Sequence, residues 1–239
     1  MHFVFKIFVD FDGTISKVDV GDLIFRKFAD KDKVDSIIAE LLNDKITAKQ
    51  SWLSLCDIAG NLNKDMFDKF ISSIEIDKTF NKLVDYCKIN NIELFILSDG
   101  FDYYINRILE KENISGVKIY SNKLTFDISG RLLPEFPYLD ENCTSSANCK
   151  RNHIISHSGE EDYTIFIGDG NSDKFTAEYC DFIFAKNDLL KYCERERITY
   201  FPFKDFNDIV VRINQLASKK RLKKRHQAEL KRRETYMIE

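Results

Sequence analysis

The stretch Phe8-Val9-Asp10-Phe11-Asp12-Gly13-Thr14-Ile15-Ser16-Lys17 decides the fold. It starts inside an apolar run, Phe3-Val4-Phe5 and Ile7-Phe8-Val9, that stops at two carboxylates one residue apart. A short run this apolar, with little polar alternation, reads as a strand buried on both faces, as in a parallel sheet covered by helices. In such sheets ligands bind beyond the carboxyl ends of the strands. Polar residues that close other apolar runs should therefore gather at the same edge as Asp10 and Asp12.

Residues 92–97 form a second run, bounded by Asn90-Asn91 and by Ser98-Asp99-Gly100. Residues 163–167 form a third and stop at Gly168-Asp169-Gly170, and residues 181–184 read as a fourth. Between them lie helical patterns at 78–90, 101–112, 172–179 and 187–195. In the first, Phe80, Leu83, Val84 and Cys87 share one face. Alternating strands and helices predict an α/β, Rossmann-like, doubly wound parallel sheet.

Two stretches interrupt that alternation. Residues 16–77 hold four helical patterns, at 19–29, 33–44, 47–59 and 63–74, and no convincing core strand. Residues 117–133 show strand-like alternation with a turn near Ser129-Gly130, which predicts a β-hairpin excursion. The expected organisation is a catalytic core at 1–15 and 78–217, a helical cap at 16–77, and a basic helical extension at 218–239. Residues 205–235 are expected to form one long helix whose end is a solvated, charge-rich extension.

A chain of 239 residues with 44% hydrophobic content can bury a sizeable core without disulfides. The six cysteines read as buried thiols. Cys143 and Cys149 lack a second pair of ligands, so a zinc site is not expected. No apolar run reaches membrane-spanning length. The N-terminus reads as a core strand and not as a signal peptide, so the expected location is cytoplasmic. Residues 218–239 carry nine Lys/Arg against three Asp/Glu, a balance of +6, which leaves −9 on the preceding residues for the chain's total of −3. Only this tail has a charge suited to nucleic acid or an anionic membrane.

Asp10, Asp12, Asp169 and Asp173 at one edge would repel one another and raise their pKa values unless a cation lay among them. A hard, oxygen-seeking cation suits them. Mg²⁺ needs only one or two direct carboxylates, with water and a substrate phosphate completing its shell. The edge therefore predicts a divalent metal and an anionic ligand together.

These elements, in this order, resemble the haloacid-dehalogenase superfamily of phosphotransferases. They are Asp10-Phe11-Asp12-Gly13-Thr14, Ser98 after a strand, a lysine, and Gly168-Asp169-Gly170-Asn171-Ser172-Asp173. The resemblance implies that Asp10 attacks phosphorus to form an aspartyl-phosphate, while Asp12 protonates the leaving oxygen and later activates water. It implies metal ligation by Asp10, the Asp12 carbonyl and Asp169, with Asp173 ligating directly or through water. Ser98 would bind the phosphoryl oxygens, and Asp99 and Gly100 would open a helix whose free N–H groups favour an anion. Thr14 belongs to the same phosphate-binding set. The lysine is Lys150 by position, with Arg151 beside it as the alternative. It would neutralise charge on the transferred group.

A helical cap between the first and second motifs implies a small phosphorylated metabolite as substrate. Asp19 stands where phosphoserine phosphatases place an acidic specificity residue. That family has Ser-Gly-Gly where this chain has Ser98-Asp99-Gly100, and it carries a cap arginine with no counterpart near 47–55. The stretches 10–15, 97–105, the Cys-containing stretch before Lys150, 168–173, 184–194 and 198–206 resemble the methionine-salvage phosphatases acting on 2-hydroxy-3-keto-5-methylthiopentenyl-1-phosphate. A phosphocholine-type substrate is a further alternative, marked by an aromatic cage. Phe101, Tyr103 and Tyr104 face the cap or pack as helix core, and Trp52, Phe25, Phe28, Phe67 and Phe70 are candidates of the same two kinds. The competing class is a non-catalytic binding protein using the basic tail. No nucleic-acid-reading motif accompanies that tail, so nucleic acid is not an expected partner. The oligomeric state is open.

Overall fold

The computed structural model describes residues 3–236. Residues 1–2 of the expected core and 237–239 of the expected extension lie outside them. Seven strands form one sheet in the order β4-β3-β2-β1-β5-β6-β7. They are β1 (Phe5–Asp10), β2 (Glu93–Phe101), β3 (Lys118–Phe126), β4 (Leu132–Glu135), β5 (Tyr163–Gly168), β6 (Phe182–Ala185) and β7 (Phe201–Pro202). All neighbouring strands are parallel except β3 and β4. From β1 the chain builds outward through β2 and β3, then returns to add β5, β6 and β7 on the other side. Strand order thus reverses between β1 and β5, where an open α/β sheet forms its ligand crevice.

The central strands are buried on both faces, as their unbroken apolar runs require. Ile7, Phe8, Val9, Ile96, Leu97, Ile165, Phe166 and Ile167 have no exposed surface. Phe8 stacks on Phe95 across β1 and β2 with 4.9 Å between ring centroids. One apolar layer joins β1 and β2 to the helices α5 (Phe80–Ile89), α6 (Asp102–Lys111) and α10 (Phe206–Ala217). The opposite layer gathers Phe95, Phe166 and Ile183 with α7 (Lys150–His157), α8 (Lys174–Ala177) and α9 (Asn187–Arg195).

Between β1 and α5 stand four helices, α1 (Val20–Phe28), α2 (Lys31–Leu42), α3 (Ala48–Ala59) and α4 (Lys64–Ser73). Each starts at a side-chain cap, from Asp19, Asp30, Thr47 and Asn63, and Thr47 with Gln50 completes a capping box. The insert rests on the core through aromatic contacts. Trp52 meets Phe101 edge-on at 4.8 Å, and Phe67 meets Tyr103 and Phe126.

The hairpin expected at 117–133 is present, and two other expectations are corrected. The hairpin strand β3 also belongs to the main sheet. Its first half pairs with β2 in parallel, and its second half pairs with β4. The pattern at 172–179 is a single 3₁₀ turn (Asn171–Asp173) followed by the short α8, because Asp173 turns back onto the strand end. The long terminal helix is two helices, α10 and α11 (His226–Tyr236).

The basic tail folds back onto the core. Leu222 and Ala228 are buried, and Arg225 donates to the carbonyls of Ala177, Glu178 and Cys180. Buried Arg232 pairs with Asp181 at 3.1 Å and also donates to Thr164. The charge run thus holds the end of α8 and β6, in addition to meeting solvent. Among the described residues no helix is long and apolar enough to cross a membrane, and all six cysteines are free.

Candidate active site

β1 ends at Asp10, and the chain turns sharply there. Asp12 (φ −74°, ψ 122°) and Gly13 (φ 76°, ψ −12°) have the dihedrals of the two central residues of a type II turn. Positive φ at the second position calls for glycine. A Cβ on residue 13 would also lie 2.6 Å from an oxygen of Asp169. The glycine therefore lets the turn press against the end of β5.

That closeness assembles the acidic centre. Asp10, Asp169 and Asp173 each present a carboxylate oxygen, all within 4.8 Å of one another. Asp169 is positioned by Thr14 at 3.0 Å and Asn187 at 3.1 Å. Asp173 is fixed by the N–H groups of Asp169 and Gly170, both at 3.0 Å. Lys150, at the start of α7, has a side chain only 1% exposed. Its ammonium pairs with Asp10, reaches Asp173 at 2.7 Å, and donates to Ser172 at 3.2 Å. Arg151 instead pairs with Asp140 at 2.7 Å, so of the two cations it is Lys150 that meets Asp10 and Asp173.

The electrostatics follow from burial. Desolvation, and then the neighbouring charge of Asp173, hold the Asp10 carboxyl well above the ordinary range, while Lys150 pulls the other way. Burial alone would depress the Lys150 ammonium, but Asp10 and Asp173 raise it. Burial also raises Asp169. Four carboxyls, Asp10, Asp12, Asp169 and Asp173, face one lysine, so Lys150 alone does not offset the negative charge they can carry. Three convergent hard oxygen donors, two of them with raised carboxyls that a cation would relieve, fit a divalent, oxygen-seeking ion.

The Asp12 side chain stands outside this triad. One oxygen accepts from the Val20 N–H at 3.0 Å. The other accepts from Ser98 Oγ at 3.1 Å and Tyr104 Oη at 3.2 Å. Burial, and then the charge of Asp19, push its carboxyl up to about 7. The chain thus presents one carboxyl beside the lysine and a second, separately held carboxyl that can carry a proton near neutrality. Asp19 caps α1, accepting from the Asp22 N–H at 2.8 Å, close enough for its charge to act on Asp12.

At the end of β2 the register with β3 shifts between Leu97 and Phe101. Such irregularities re-aim side chains beside active sites. Here Ser98 faces Asp12, while Asp99 faces the loop before α7. The expected helix start at Asp99-Gly100 is corrected, because β2 continues through Phe101 and α6 opens at Asp102. The Gly100 N–H donates to Ser98 Oγ at 2.9 Å. The Asp99 carboxylate takes donors from Ser146, Ala147 and Asn148 at 2.7–2.9 Å, and from the Trp52 indole at 3.3 Å. Its side chain therefore anchors the Lys150 loop and touches the helical insert.

Sequence reasoning did not single out Val20, Asn148 or Ser172, nor the contact of Tyr104 with Asp12. Tyr104 did carry a signal, since a buried tyrosine on an apolar helix face needs a partner for its hydroxyl. Asn148 donates to the carbonyls of Ser98 and Tyr120, a role that rests on long-range geometry and leaves no local pattern.

Comparison with known proteins agrees with this geometry. The "Putative Phosphatase" family model matches residues 5–197. The 2-hydroxy-3-keto-5-methylthiopentenyl-1-phosphate phosphatase of Bacillus mycoides (strain KBAB4) is 30% identical over 215 residues, covering 88% of this chain and 96% of that protein. The phosphatase of the same name from Brevibacillus brevis is 30% identical over 214 residues, covering 88% and 95%. A substrate-bound phosphoserine phosphatase is similar in fold, with a TM-score of 0.67 and 22% identity over 89% of this chain and 99% of that one. A HAD family hydrolase from Salmonella enterica subsp. enterica serovar Typhi has a TM-score of 0.70 at 14% identity, covering 92% and 73%. With its acidic strand ends, buried lysine and matched length, the chain belongs to the "Putative Phosphatase" family and has the haloacid-dehalogenase fold.

Proposed function

We propose that the chain is a Mg²⁺-dependent phosphomonoester hydrolase working through an aspartyl-phosphate, with 2-hydroxy-3-keto-5-methylthiopentenyl-1-phosphate as its substrate. The observation that carries the reaction is the pairing of two differently held carboxyls. Asp10 lies beside Lys150 in the acidic triad, while Asp12 is held apart by Ser98, Tyr104 and Val20. The substrate follows from the relatives in Bacillus and Brevibacillus, which bear that name over nearly their whole length.

In this reading Asp10 attacks phosphorus as Asp12 gives its proton to the departing oxygen. The new Asp10 acyl phosphate is then hydrolysed at phosphorus by a water that loses its proton to Asp12, which frees the Asp10 carboxylate and inorganic phosphate. Asp10, Asp169 and Asp173, with the Asp12 carbonyl, would hold the Mg²⁺, whose chemistry is to screen phosphoryl charge from the attacking carboxylate. Lys150 balances charge on Asp10 and on the transferred group, and Ser98 and Thr14 orient phosphoryl oxygens. The helices α1–α4 act as a cap that limits the site to small phosphorylated metabolites, and Asp19 at its edge contacts the part of the substrate beyond the phosphate.

The test is phosphate release from a panel holding the methionine-salvage enol phosphate, phosphoserine and phosphocholine, with Mg²⁺ and with EDTA. Metal-dependent release that disappears in Asp10→Asn is the expected result. Best turnover of phosphoserine or phosphocholine would replace the substrate and keep the reaction. No release from any ester, including an aryl phosphate, would overturn the enzyme reading.

A further inference from the structure

We infer that Tyr104 is a positioning residue for the proton-carrying carboxyl, its buried hydroxyl holding Asp12 in line with the leaving oxygen. The inference rests on the phosphomonoesterase reading above. Tyr104 lies in the first turn of α6 and is 1% exposed, with its ring tilted against Phe11 at 6.3 Å. Its hydroxyl donates to Asp12 Oδ2 at 3.2 Å.

Two features make this contact more than incidental packing. The first is its route. The hydroxyl passes through the space where a side chain on residue 100 would begin, so a Cβ at Gly100 would overlap it. The bend after Ser98 is thus open at the one point where the tyrosine must cross to reach Asp12. The second is division of labour. Ser98 Oγ shares Oδ2 with Tyr104 at 3.1 Å, but Ser98 also faces the place assigned to the phosphoryl oxygens. A hydroxyl drawn to the phosphoryl group loosens its hold on Asp12. Tyr104, behind the carboxyl and sealed from solvent, keeps its hold. Oδ1 receives the Val20 N–H and retains a second lone pair for the proton that moves. The carboxyl plane is therefore clamped at both oxygens, by α6 of the core and by the first residue of α1 in the insert.

A positioned general acid matters most where the leaving group is a poor one. The experiment compares Tyr104→Phe with wild type on two esters of similar size. Benzyl phosphate releases an alkoxide that must be protonated, whereas p-nitrophenyl phosphate releases a stable phenolate. Because kcat/KM reports formation of the phosphoenzyme, it isolates the step in which Asp12 acts as acid. Tyr104→Phe should lower kcat/KM for benzyl phosphate about tenfold and for p-nitrophenyl phosphate less than about twofold, a fraction of the whole general-acid effect. Equal losses on both esters, or no loss on benzyl phosphate, would overturn the inference. Circular dichroism and thermal melting establish that the variant folds. If it does not, Tyr104→Met carries the test by filling the same apolar space without a hydroxyl, and the same ester-selective loss is expected. A folded wild-type protein that hydrolyses neither ester would overturn the enzyme reading and this inference with it, whereas active wild type with a uniform loss would overturn this inference alone.

Discussion

Replacing Lys150 with methionine keeps most of the side-chain volume and removes the charge that two buried carboxylates face. The ammonium lies 2.7 Å from Asp173 and is also paired with Asp10, and all three side chains are at most 5% exposed. At an effective dielectric of about 20, a pair at that separation attracts with roughly 6 kcal/mol before desolvation is counted. Removing one partner of a buried pair typically costs about 3–5 kcal/mol, because the charge left behind stays uncompensated. A proton can take over part of the lysine's role, since burial and Asp173 already hold the Asp10 carboxyl well above its ordinary range. The loss should therefore be larger at pH 8 than at pH 5. In EDTA we expect Lys150→Met to lose about 3–5 kcal/mol at pH 8 and distinctly less at pH 5. Saturating Mg²⁺ should recover much of the pH 8 loss, because a divalent cation compensates the same carboxylates. Turnover should nevertheless fall by about 10²–10³, the scale for losing one fixed charge on a transferring group. Urea denaturation at both pH values, with and without Mg²⁺, measures the first three quantities, and phosphate release measures the fourth. A loss under about 1 kcal/mol at pH 8 in EDTA, or one equal at both pH values, would refute the charge-compensation argument.

Three further outcomes follow from the same structure. Gly13→Ala should cost about 1–3 kcal/mol through its positive φ and weaken Mg²⁺ binding by displacing Asp169, both readable by thermal melts across a metal titration. Buried His153 has its imidazole pushed down to about 4 by burial and then by His157, so it must stay neutral in the fold. The unfolded chain binds this proton from about pH 6.5 downward, so the contribution is complete above pH 6.5 and is lost as pH falls toward 4, at most about 3 kcal/mol. The raised carboxylates of the site have the opposite sign, so urea titrations of wild type against His153→Gln isolate it, and the variant should show a shallower loss across that window. Arg232→Met strands the buried Asp181 carboxylate and should cost about 3–5 kcal/mol in a urea titration, whereas a fully solvated tail would give no change.

The resemblance of residues 10–14, 98 and 168–173 to a known phosphotransferase pattern was legible because strand-end chemistry is local. An apolar run buried on both faces, a turn that requires glycine and an acidic residue beyond it all fall within a few positions of one another. The four helices of the insert were equally legible from their helical patterns, with boundaries within about two residues of those observed. The choice between Lys150 and Arg151 was not legible in this way. Neighbouring cations look alike in sequence, and only the docking of α7 against β1 and β5 turns one inward and pairs the other with Asp140. The double use of residues 98–100 was also hidden, because a register shift sends adjacent side chains to different neighbours.

The tail carries the same lesson at larger scale. Its charge is a property of the local sequence and lies in the segment 218–225 and in α11, while the helical periodicity of α10 precedes it. The break between α10 and α11 depends on Leu222, Arg225 and Arg232 meeting surfaces made by residues some 45–68 positions earlier, which no local pattern records. By itself the sequence determined the central strands, the helices of the insert and the acidic residues that close the strands, because hydrophobic burial and turn chemistry act over a few residues at a time. The tertiary structure alone decided which cation enters the centre, which hydroxyls hold Asp12 and where the tail lies. Those choices depend on the distances between groups that the fold brings together from remote parts of the chain.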